Sequence, residues 1–378
     1  MNSKIWLSSP HMGGNERKFV TEAFDTNWVA PLGPNVSGLE QDIASYLVDE
    51  MHVAALSSGT AALHLALILS GVESGDEVIC QSMTFSASAN PIRYQKAVPV
   101  FIDSEKDTWN MDPKFLEEAI KDRIKKGKKP KAIIAVHLYG MPGKMEEMMV
   151  IAETYKIPVI EDAAEALGSS INGKKCGTFG QIGILSFNGN KIITTSGGGA
   201  MVSKNKELVD KATFLATQAR DPAPHYQHSQ IGYNYRMSNI CAGIGRGQME
   251  VLPERINQRR ANFTFYQNEL SDFRGNKFVQ EPEGFYSNRW LTTILIDPEK
   301  NGGISREDVR IALEKENIES RPLWKPMHLQ PVFKDFPYYG EKVSEGLFEK
   351  GLCLPSGSNL TKEELERVLK CIQGVFKK

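Results

Sequence analysis

A lysine in an unusual setting is the first candidate for chemistry in this chain. Lys191 ends residues 186–191 (SFNGNK) and is soon followed by the glycine-rich run of residues 194–199 (TTSGGG). Glycines let a backbone approach a ligand closely, and a lysine amine can form a Schiff base with a carbonyl group. The plain alternative is an isolated surface charge.

Two further polar segments follow predicted strands. Asp162, preceded by Glu161, could bind a metal, act as a base or pair with a cationic ring nitrogen, or it could cap a helix. Residues 57–60 (SSGT) open a predicted helix. Backbone N–H groups at a helix start form an anion site, although a serine there is also a common cap.

These three signals match the needs of one cofactor. Pyridoxal phosphate (PLP) needs a lysine for the Schiff base, an acid beside its ring nitrogen and an anion site for its phosphate. Lys191 and Asp162 follow neighbouring strands, so they could approach one ring from two sides. The spacing alone therefore favours a PLP site.

The elements that would position these residues alternate between strand and helix. Short apolar strands are predicted at residues 53–56, 77–80, 98–102, 132–136, 157–160 and 183–187, with helices between most of them. This pattern predicts an α/β fold with a mainly parallel sheet between helices. Open sheets of this kind bind ligands at the carboxyl ends of their strands.

The pattern changes after about residue 236. A long helix to about residue 270 contains Pro253, which predicts a kink or a break, and its residues 243–247 (GIGRG) favour close helix packing. A strand at 291–296 and helices at 306–316 and 362–376 follow. We predict a large cofactor-binding domain with an N-terminal arm at residues 1–250 and a small α+β domain at 251–378.

Composition narrows the class of protein. The 378 residues carry a formal net charge of -1, which does not suggest a nucleic-acid partner. Five scattered cysteines form no C-x-x-C pair, and the seven histidines form no ligand motif, so we predict no metal site. The start of the sequence has no apolar core of a signal peptide, and no segment predicts a membrane span. We expect a cytoplasmic protein.

Several motifs in order resemble one known family across the whole chain. They are SSGTAALHLAL, TFSASANPI, VHLYGMPGKM, IEDAAEALGS, SFNGNKIITTSGGG and GYNYRMSN. The sequence resembles the DegT-type nucleotide-sugar aminotransferases, which are PLP-dependent enzymes of fold type I. The resemblance implies that fold, PLP as the cofactor and transamination as the reaction.

The resemblance also implies roles for individual residues. Lys191 would bind the cofactor covalently and Asp162 would pair with its ring nitrogen, so both are the predicted catalytic residues. Predicted cofactor contacts come from Phe85 stacking on the ring, from Glu165 near the ring hydroxyl, where many relatives have Gln or His, and from phosphate-binding Ser58, Gly59, Thr60 and Ser186.

The family's active site is shared across a dimer interface. The resemblance therefore implies a homodimer in which Asn234 reaches the phosphate of the neighbouring subunit's cofactor. Residues 321–328 (RPLWKPMH) combine cations and aromatic rings that could meet a nucleotide diphosphate. We name Arg321, Trp324 and His328 there, and Trp28 in another loop, as candidate substrate contacts. A surface loop with a buried tryptophan is the alternative.

The segments SFNGNKIITT and ESRPLWKPMHLQPVF most resemble bacillosamine-pathway enzymes that aminate C4. We therefore expect transfer of an amino group from glutamate to C4 of a UDP-linked 2-acetamido-4-keto-6-deoxy sugar, for glycan or polysaccharide biosynthesis. A perosamine-type enzyme using a GDP-linked sugar and a C3 aminotransferase are the enzymatic alternatives. A sensor or regulatory protein that kept the fold is the non-enzymatic one.

Overall fold

Strands and helices alternate through much of the chain. The computed structural model describes residues 3–48 and 50–377. Its helices are α1 (Glu16–Asp25), α2 (Pro34–Leu47), α3 (Gly59–Leu69), α4 (Ser86–Tyr94), α5 (Pro113–Lys125), α6 (Met145–Tyr155), α7 (Lys206–Ala216), α8 (Asn239–Leu270), α9 (Arg306–Lys315), α10 (Val343–Lys350) and α11 (Lys362–Phe376). Its strands are β1 (His52–Leu56), β2 (Glu77–Gln81), β3 (Val98–Ile102), β4 (Ala132–Val136), β5 (Val159–Asp162), β6 (Ser170–Ile171), β7 (Lys174–Lys175), β8 (Ile182–Ser186), β9 (Gly199–Ser203), β10 (Asn276–Phe278), β11 (Phe285–Tyr286), β12 (Thr292–Ile296), β13 (Arg321–Pro322), β14 (Tyr338–Tyr339) and β15 (Gly351–Leu354).

The main sheet is mixed and mainly parallel, as the sequence predicts. Its eight strands lie in the order β1-β9-β8-β5-β4-β2-β3-β14. The pairs from β8 through β14 are parallel, whereas β9 is antiparallel to both β8 and β1. The remaining strands form two smaller sheets, in the orders β10-β12-β15-β13 and β11-β6-β7.

The main sheet is buried on both faces, which explains why its central strands are apolar throughout. In β4, Ile134 and Val136 pack into one hydrophobic cluster, whereas Ile133 and Ala135 pack into another. Because successive side chains of a strand point to opposite faces, the two clusters lie on opposite sides of the sheet. The residues of β4 are therefore apolar without alternation.

Two differences from the predicted elements affect the site. Strand β5 ends at Asp162, two residues later than predicted, so Asp162 is the last residue of the strand. No strand is predicted at β9, whose first residue, Gly199, ends the glycine-rich run. Strands β1 and β8 lie on either side of β9 and pair with it through backbone hydrogen bonds. This pairing is not visible in the local sequence.

Helix α8 is a single element of 32 residues that continues through Pro253, so of the two predicted alternatives, a kink or a break, the break does not occur. Leu252 and Ile256 are buried on either side of the proline, and tertiary packing holds this stretch helical. The glycines of residues 243–247 do favour close helix packing. A Cβ atom on Gly247 would lie 2.6 Å from the amide nitrogen of Glu16 in α1.

The predicted domain boundary at residue 250 falls within α8. A C-terminal hydrophobic cluster takes in Phe263 from α8 and also Ile5 from near the amino terminus. Strand β14 comes from the later part of the chain and extends the main sheet beside β3. The division at residue 250 stays a prediction. In the described ranges, no helix has the length and apolar character to cross a membrane.

Candidate active site

A cavity of about 750 Å³ lies at the edge where the parallel strands of the main sheet end. Asp162 from the end of β5 and Ser186 from the end of β8 line it. Lys191 and the first residues of α3, Gly59 and Thr60, line the same cavity. The structure thus brings together the lysine, the carboxylate and the helix start that the sequence singled out.

The first turn of α3 forms a cradle for an anion. The Ser58 hydroxyl oxygen accepts a hydrogen bond from the N–H of Ala61 at 3.0 Å, so Ser58 is a helix cap. The amides of Gly59 and Thr60 belong to the first turn, where N–H groups have no acceptor within the helix. A Cβ atom on Gly199 would lie 2.3 Å from the amide nitrogen of Gly59, so β9 packs tightly beside this turn. Capping and anion binding are therefore compatible here.

Asp162 is buried, and both of its carboxylate oxygens are held. Oδ2 accepts a hydrogen bond from Ser88 Oγ at 2.7 Å, and Oδ1 accepts one from the N–H of Ala164 at 3.2 Å. Thr84 Oγ1 lies 2.7 Å from the same Ser88 hydroxyl. These bonds fix the direction of the carboxylate and leave it lone pairs for a cationic ligand atom.

Lys191 is not a surface charge. Its side chain is 12% exposed, and Nζ lies 3.2 Å from Oε1 of Glu165. Nζ also lies 4.2 Å from the ring centroid of Trp290, a cation–π contact. The amine is therefore held inside the cavity between an acid and an aromatic ring.

Glu165 is the acidic partner of Lys191. Its Oε2 accepts a hydrogen bond from the N–H of Tyr139 at 2.7 Å. Burial raises the pKa of Glu165 to about 7, and the attraction of Lys191 only partly opposes this rise. The carboxyl therefore changes charge near neutral pH, and it can exchange a proton with a group in the cavity.

Aromatic rings form one wall of the cavity. Phe85 lies directly before α4, and its ring centroid is 5.5 Å from that of Trp324. The Trp324 ring in turn lies 4.9 Å from Tyr139 and 6.4 Å from Trp290. Phe85, Trp290 and Trp324 all line the cavity, and Phe85 is 55% exposed. Its free face is available to stack on a flat ligand.

The outer part of the cavity carries an ion pair. Arg321 donates hydrogen bonds from Nε and Nη2 to Oε1 of Glu319, at 3.0 Å and 2.8 Å. Oε2 of Glu319 accepts the N–H of Leu7 at 3.1 Å. Ser8, next to Leu7, also lines the cavity and donates from its hydroxyl to the carbonyl of Asn190 at 2.7 Å. The N-terminal segment is therefore part of the site.

Three predicted site residues are not brought to this cavity within the chain. Trp28 and Asn234 are exposed and do not line it. His328 does not line it either, because Ser82 Oγ lies 2.6 Å from its Nδ1 and its ring stacks on Tyr338 at 3.8 Å. Within the chain these contacts hold the ring of His328 away from the cavity, and its role as a substrate contact stays a prediction. Trp28 and Asn234 stay predictions for a site shared with a second subunit.

A buried polar cluster elsewhere joins His137, Glu161 and Cys176. His137 Nε2 donates to Oε1 of Glu161 at 2.7 Å, while its Nδ1 accepts the N–H of Gly143 at 3.0 Å. Glu161 also accepts backbone N–H groups, including that of Phe179 at 2.8 Å. Hydrogen bonds of His137 and Glu161 therefore join the end of β4 to β5.

Sequence reasoning missed several residues that line the cavity. Asn188 and Asn190 lie in the noticed segment before Lys191 and could have been named. Ser88 lies in the motif TFSASANPI, but its contact with Asp162 spans 74 residues and has no local signal. Leu7 and Glu319 carry no local signal, since they are 312 residues apart and meet only in the fold.

The residues present fit PLP. The cradle at α3 suits its phosphate, Asp162 suits a protonated ring nitrogen, and the amine of Lys191 is directed into the same cavity. A PLP-dependent enzyme of the α/β class is the kind of protein that this fold and this site define.

Comparisons with known proteins give the family. The DegT/DnrJ/EryC1/StrS aminotransferase family matches residues 10–373. EpsN of Bacillus subtilis (strain 168), described as a candidate PLP-dependent aminotransferase, is 54% identical over 100% of this chain and 97% of that protein. GDP-perosamine synthase of Escherichia coli O157:H7 is 37% identical over 98% of each chain. The crystal structure of a DegT DnrJ EryC1 StrS aminotransferase from Brucella abortus is 30% identical, with a TM-score of 0.89 over 96% of each chain.

This chain belongs to the DegT/DnrJ/EryC1/StrS aminotransferase family. It is a PLP-dependent sugar aminotransferase, which confirms the predicted fold, cofactor and class of enzyme. The non-enzymatic alternative, a sensor that kept the fold, is accordingly set aside.

Proposed function

We propose that this enzyme transfers an amino group from glutamate to C4 of a UDP-linked 2-acetamido-4-keto-6-deoxy sugar, for glycan or polysaccharide biosynthesis in the cytoplasm. The observation that supports this most is the shared cavity of Lys191, Asp162 and the α3 cradle. Support for the substrate comes from the resemblance of SFNGNKIITT and ESRPLWKPMHLQPVF to enzymes of this kind. The GDP-perosamine synthase relative favours the alternative, a GDP-linked sugar.

The residues divide the work between binding and proton transfer. When bound, PLP supplies an electron sink for the pair released as a Cα–H bond of the donor breaks. Asp162 holds a proton on the ring nitrogen, which keeps that sink effective. Lys191 would hold the cofactor at rest, and its Nζ would carry a proton between the donor carbon and the cofactor in the first half-reaction and between the cofactor and the sugar carbon in the second.

One cavity serves both substrates in turn. Glutamate delivers its nitrogen and leaves as 2-oxoglutarate before the keto sugar enters, so we expect ping-pong kinetics. The nucleotide is large and anionic and lies toward the outside of the cavity. Arg321 is 70% exposed there and Trp324 offers an aromatic face, so both suit a diphosphate and a base.

We further propose that the enzyme is a homodimer with shared active sites. Asn234 is exposed and lies outside the cavity of its own chain. Exposed apolar side chains are also frequent at the end of α1 and in the segment that follows it, and clusters of this kind mark interaction surfaces; they are Phe24, Trp28, Val29 and Leu32. In the dimer, Asn234 of the partner subunit contacts the cofactor phosphate.

Covalent cofactor binding tests the central assignment. Borohydride treatment of the purified protein should fix PLP to the peptide that contains Lys191. Lys191→Ala should fold but lose transfer, because it removes a functional group rather than core packing. Lys206→Ala changes an exposed lysine paired with Asp210 and serves as the control. Labelling of a different lysine would contradict the assignment.

A substrate panel tests the sugar. UDP-, GDP- and dTDP-linked keto sugars should be offered with glutamate, and the products identified by mass and NMR. We expect amination at C4 of the UDP-linked 2-acetamido sugar. Amination at C3, or preference for a GDP-linked sugar without the acetamido group, would favour one of the alternatives.

Subunit mixing tests the shared site. Lys191→Ala and Asn234→Ala chains, each weak alone, should form hybrids in which one site carries both defects and the other carries neither. Activity should therefore recover when the two chains exchange. If the chains are shown to exchange but activity does not recover, Asn234 does not act in the partner's site.

A further inference from the structure

Tyr139 adopts a backbone conformation that L-residues rarely take. It follows β4 in a short turn with φ 53° and ψ 21°, although it is neither glycine nor exposed. The next residue, Gly140, has φ 90°, and a Cβ atom there would lie 2.0 Å from Oδ1 of Asn288. Buried packing therefore holds this turn in place, and strain of this kind collects at functional sites.

The backbone of Tyr139 is linked to Lys191 through one residue, Glu165. Its N–H donates to Oε2 of Glu165 at 2.7 Å, and the other oxygen of Glu165 contacts Lys191 Nζ at 3.2 Å. The unusual backbone conformation directs this N–H to the carboxylate. Glu165 is thereby oriented with its second oxygen toward the amine.

The side chain of Tyr139 contacts the aromatic wall of the cavity. Its hydroxyl oxygen accepts a hydrogen bond from the backbone N–H of Trp324 at 2.9 Å. Its ring stacks on Trp290 at 6.3 Å. Burial, followed by the neighbouring Cys353 thiol, raises the pKa of Tyr139 well above its usual value, so the hydroxyl stays neutral.

The segment around Trp324 is anchored at its start by the pairing of β13 with β15 and at its end by the N–H of Met327, which donates to the carbonyl of Ser82 at 2.7 Å. Pro322 and Pro326 have no N–H group. The N–H of Leu323 donates to the carbonyl of Gly351 at 3.1 Å, and the N–H of Trp324 donates to Tyr139. Loss of the Tyr139 hydroxyl would leave a partly buried N–H without its acceptor, which is costly.

We propose that Tyr139 is a positioning residue that fixes the Lys191–Glu165 pair and the Trp324 wall relative to each other. It does not line the cavity, so it acts through Glu165 on one side and Trp324 on the other. The consequence for the nucleotide sugar rests on the function proposed above, because that function assigns Trp324 to the sugar nucleotide.

Hydrogen exchange in the cofactor-free protein tests the structural link. Tyr139→Phe keeps the ring and removes only the hydroxyl. The amide of Trp324 should then exchange about tenfold faster, while the unfolding temperature falls by only a few degrees, because one lost hydrogen bond is small against the unfolding enthalpy of a chain of this length. Tyr155→Phe, which removes a hydroxyl bonded to Glu117 on α5, is the control and should leave this amide unchanged. Unchanged exchange at Trp324 in Tyr139→Phe would overturn the proposal.

Kinetics of the loaded enzyme test the functional consequence. In Tyr139→Phe, we expect KM for the sugar nucleotide to rise about tenfold, with kcat and the half-reaction with glutamate little changed. Equal losses for both substrates would show a general structural defect and overturn the proposal. If the wild-type enzyme consumes glutamate but aminates no UDP-linked sugar, the proposed substrate is wrong, and the exchange measurement alone decides the role of Tyr139.

Discussion

Replacing Glu165 by glutamine should change how the stability of the cofactor-free protein depends on pH. Burial raises the pKa of Glu165 from its ordinary value of 4.5 to about 7. A carboxyl whose pKa is raised by folding favours the folded state only while it is protonated. Its contribution is complete below pH 4.5 and is lost as the pH rises through 7. At about 1.4 kcal/mol per pKa unit, this loss is about 3 kcal/mol.

Glutamine is close in shape and cannot ionise, so Glu165→Gln should escape this loss. We expect its free energy of unfolding, relative to the wild type, to increase by up to about 3 kcal/mol between pH 4.5 and 7.5. Urea denaturation of the cofactor-free proteins at several pH values measures the difference. Glu283→Gln, at an exposed side chain, is the control and should give a flat difference.

A flat or falling difference for Glu165→Gln would refute this reasoning. It would mean that the attraction between the carboxylate and Lys191, 3.2 Å away, outweighs the cost of burying the charge. In that case the pair would be ionised throughout the pH range, and Glu165 would not exchange a proton near neutrality.

Three further predictions concern the site and its supports. Asp162→Asn removes a charge-assisted hydrogen bond to the cofactor, so it should weaken PLP binding by about 1.5–3 kcal/mol, measured by equilibrium dialysis. The variant should also lose most of its turnover. Near-normal turnover would contradict the role of Asp162. In a PLP titration, Gly199→Ala should lower PLP affinity at least tenfold, because its Cβ atom would lie 2.3 Å from the amide nitrogen of Gly59. The control Gly189→Ala has open space around its Cβ atom and should bind PLP normally. Asp103→Asn should destabilise the protein by about 1.5–3 kcal/mol at pH 7 in denaturation experiments, because that carboxylate accepts the N–H groups of Val343 and Ser344 at 2.8 Å and 2.9 Å. Burial opposes ionisation of Asp103, but the hydrogen bonds from Ser344 outweigh it and lower the pKa, so the deficit should shrink as the pH falls below 3.8.

The sequence predicts the α/β architecture because both signals involved are local. Continuous apolar strands such as β4 indicate a sheet buried on both faces, and the helices between strands indicate parallel connections. Parallel strands end at one edge of the sheet, so the sequence predicts that Asp162 and Lys191, which follow neighbouring strands, lie close together. The sequence pattern also indicated the start of α3 as a candidate anion site, with a plain helix cap as the alternative.

Other features depend on contacts between distant parts of the chain. Strand β9 follows a glycine-rich run and becomes a strand because β1 and β8 pair with it on both sides. Helix α8 continues through Pro253 because neighbouring elements bury the residues on both sides. His328 lies in a segment whose cations and aromatic rings suggest a ligand contact, but within the chain its ring contacts Ser82 and Tyr338.

The sequence alone thus predicted a mainly parallel sheet, PLP as the cofactor and three groups to hold it, because residue type and position relative to a strand end favour those conclusions and the motifs resemble one family. Only the tertiary structure decided what surrounds them. The pairing of Lys191 with Glu165, the link from Tyr139 to Trp324 and the contact of Leu7 with Glu319 join segments far apart in sequence. Such contacts arise from how the elements pack, and no local pattern encodes them.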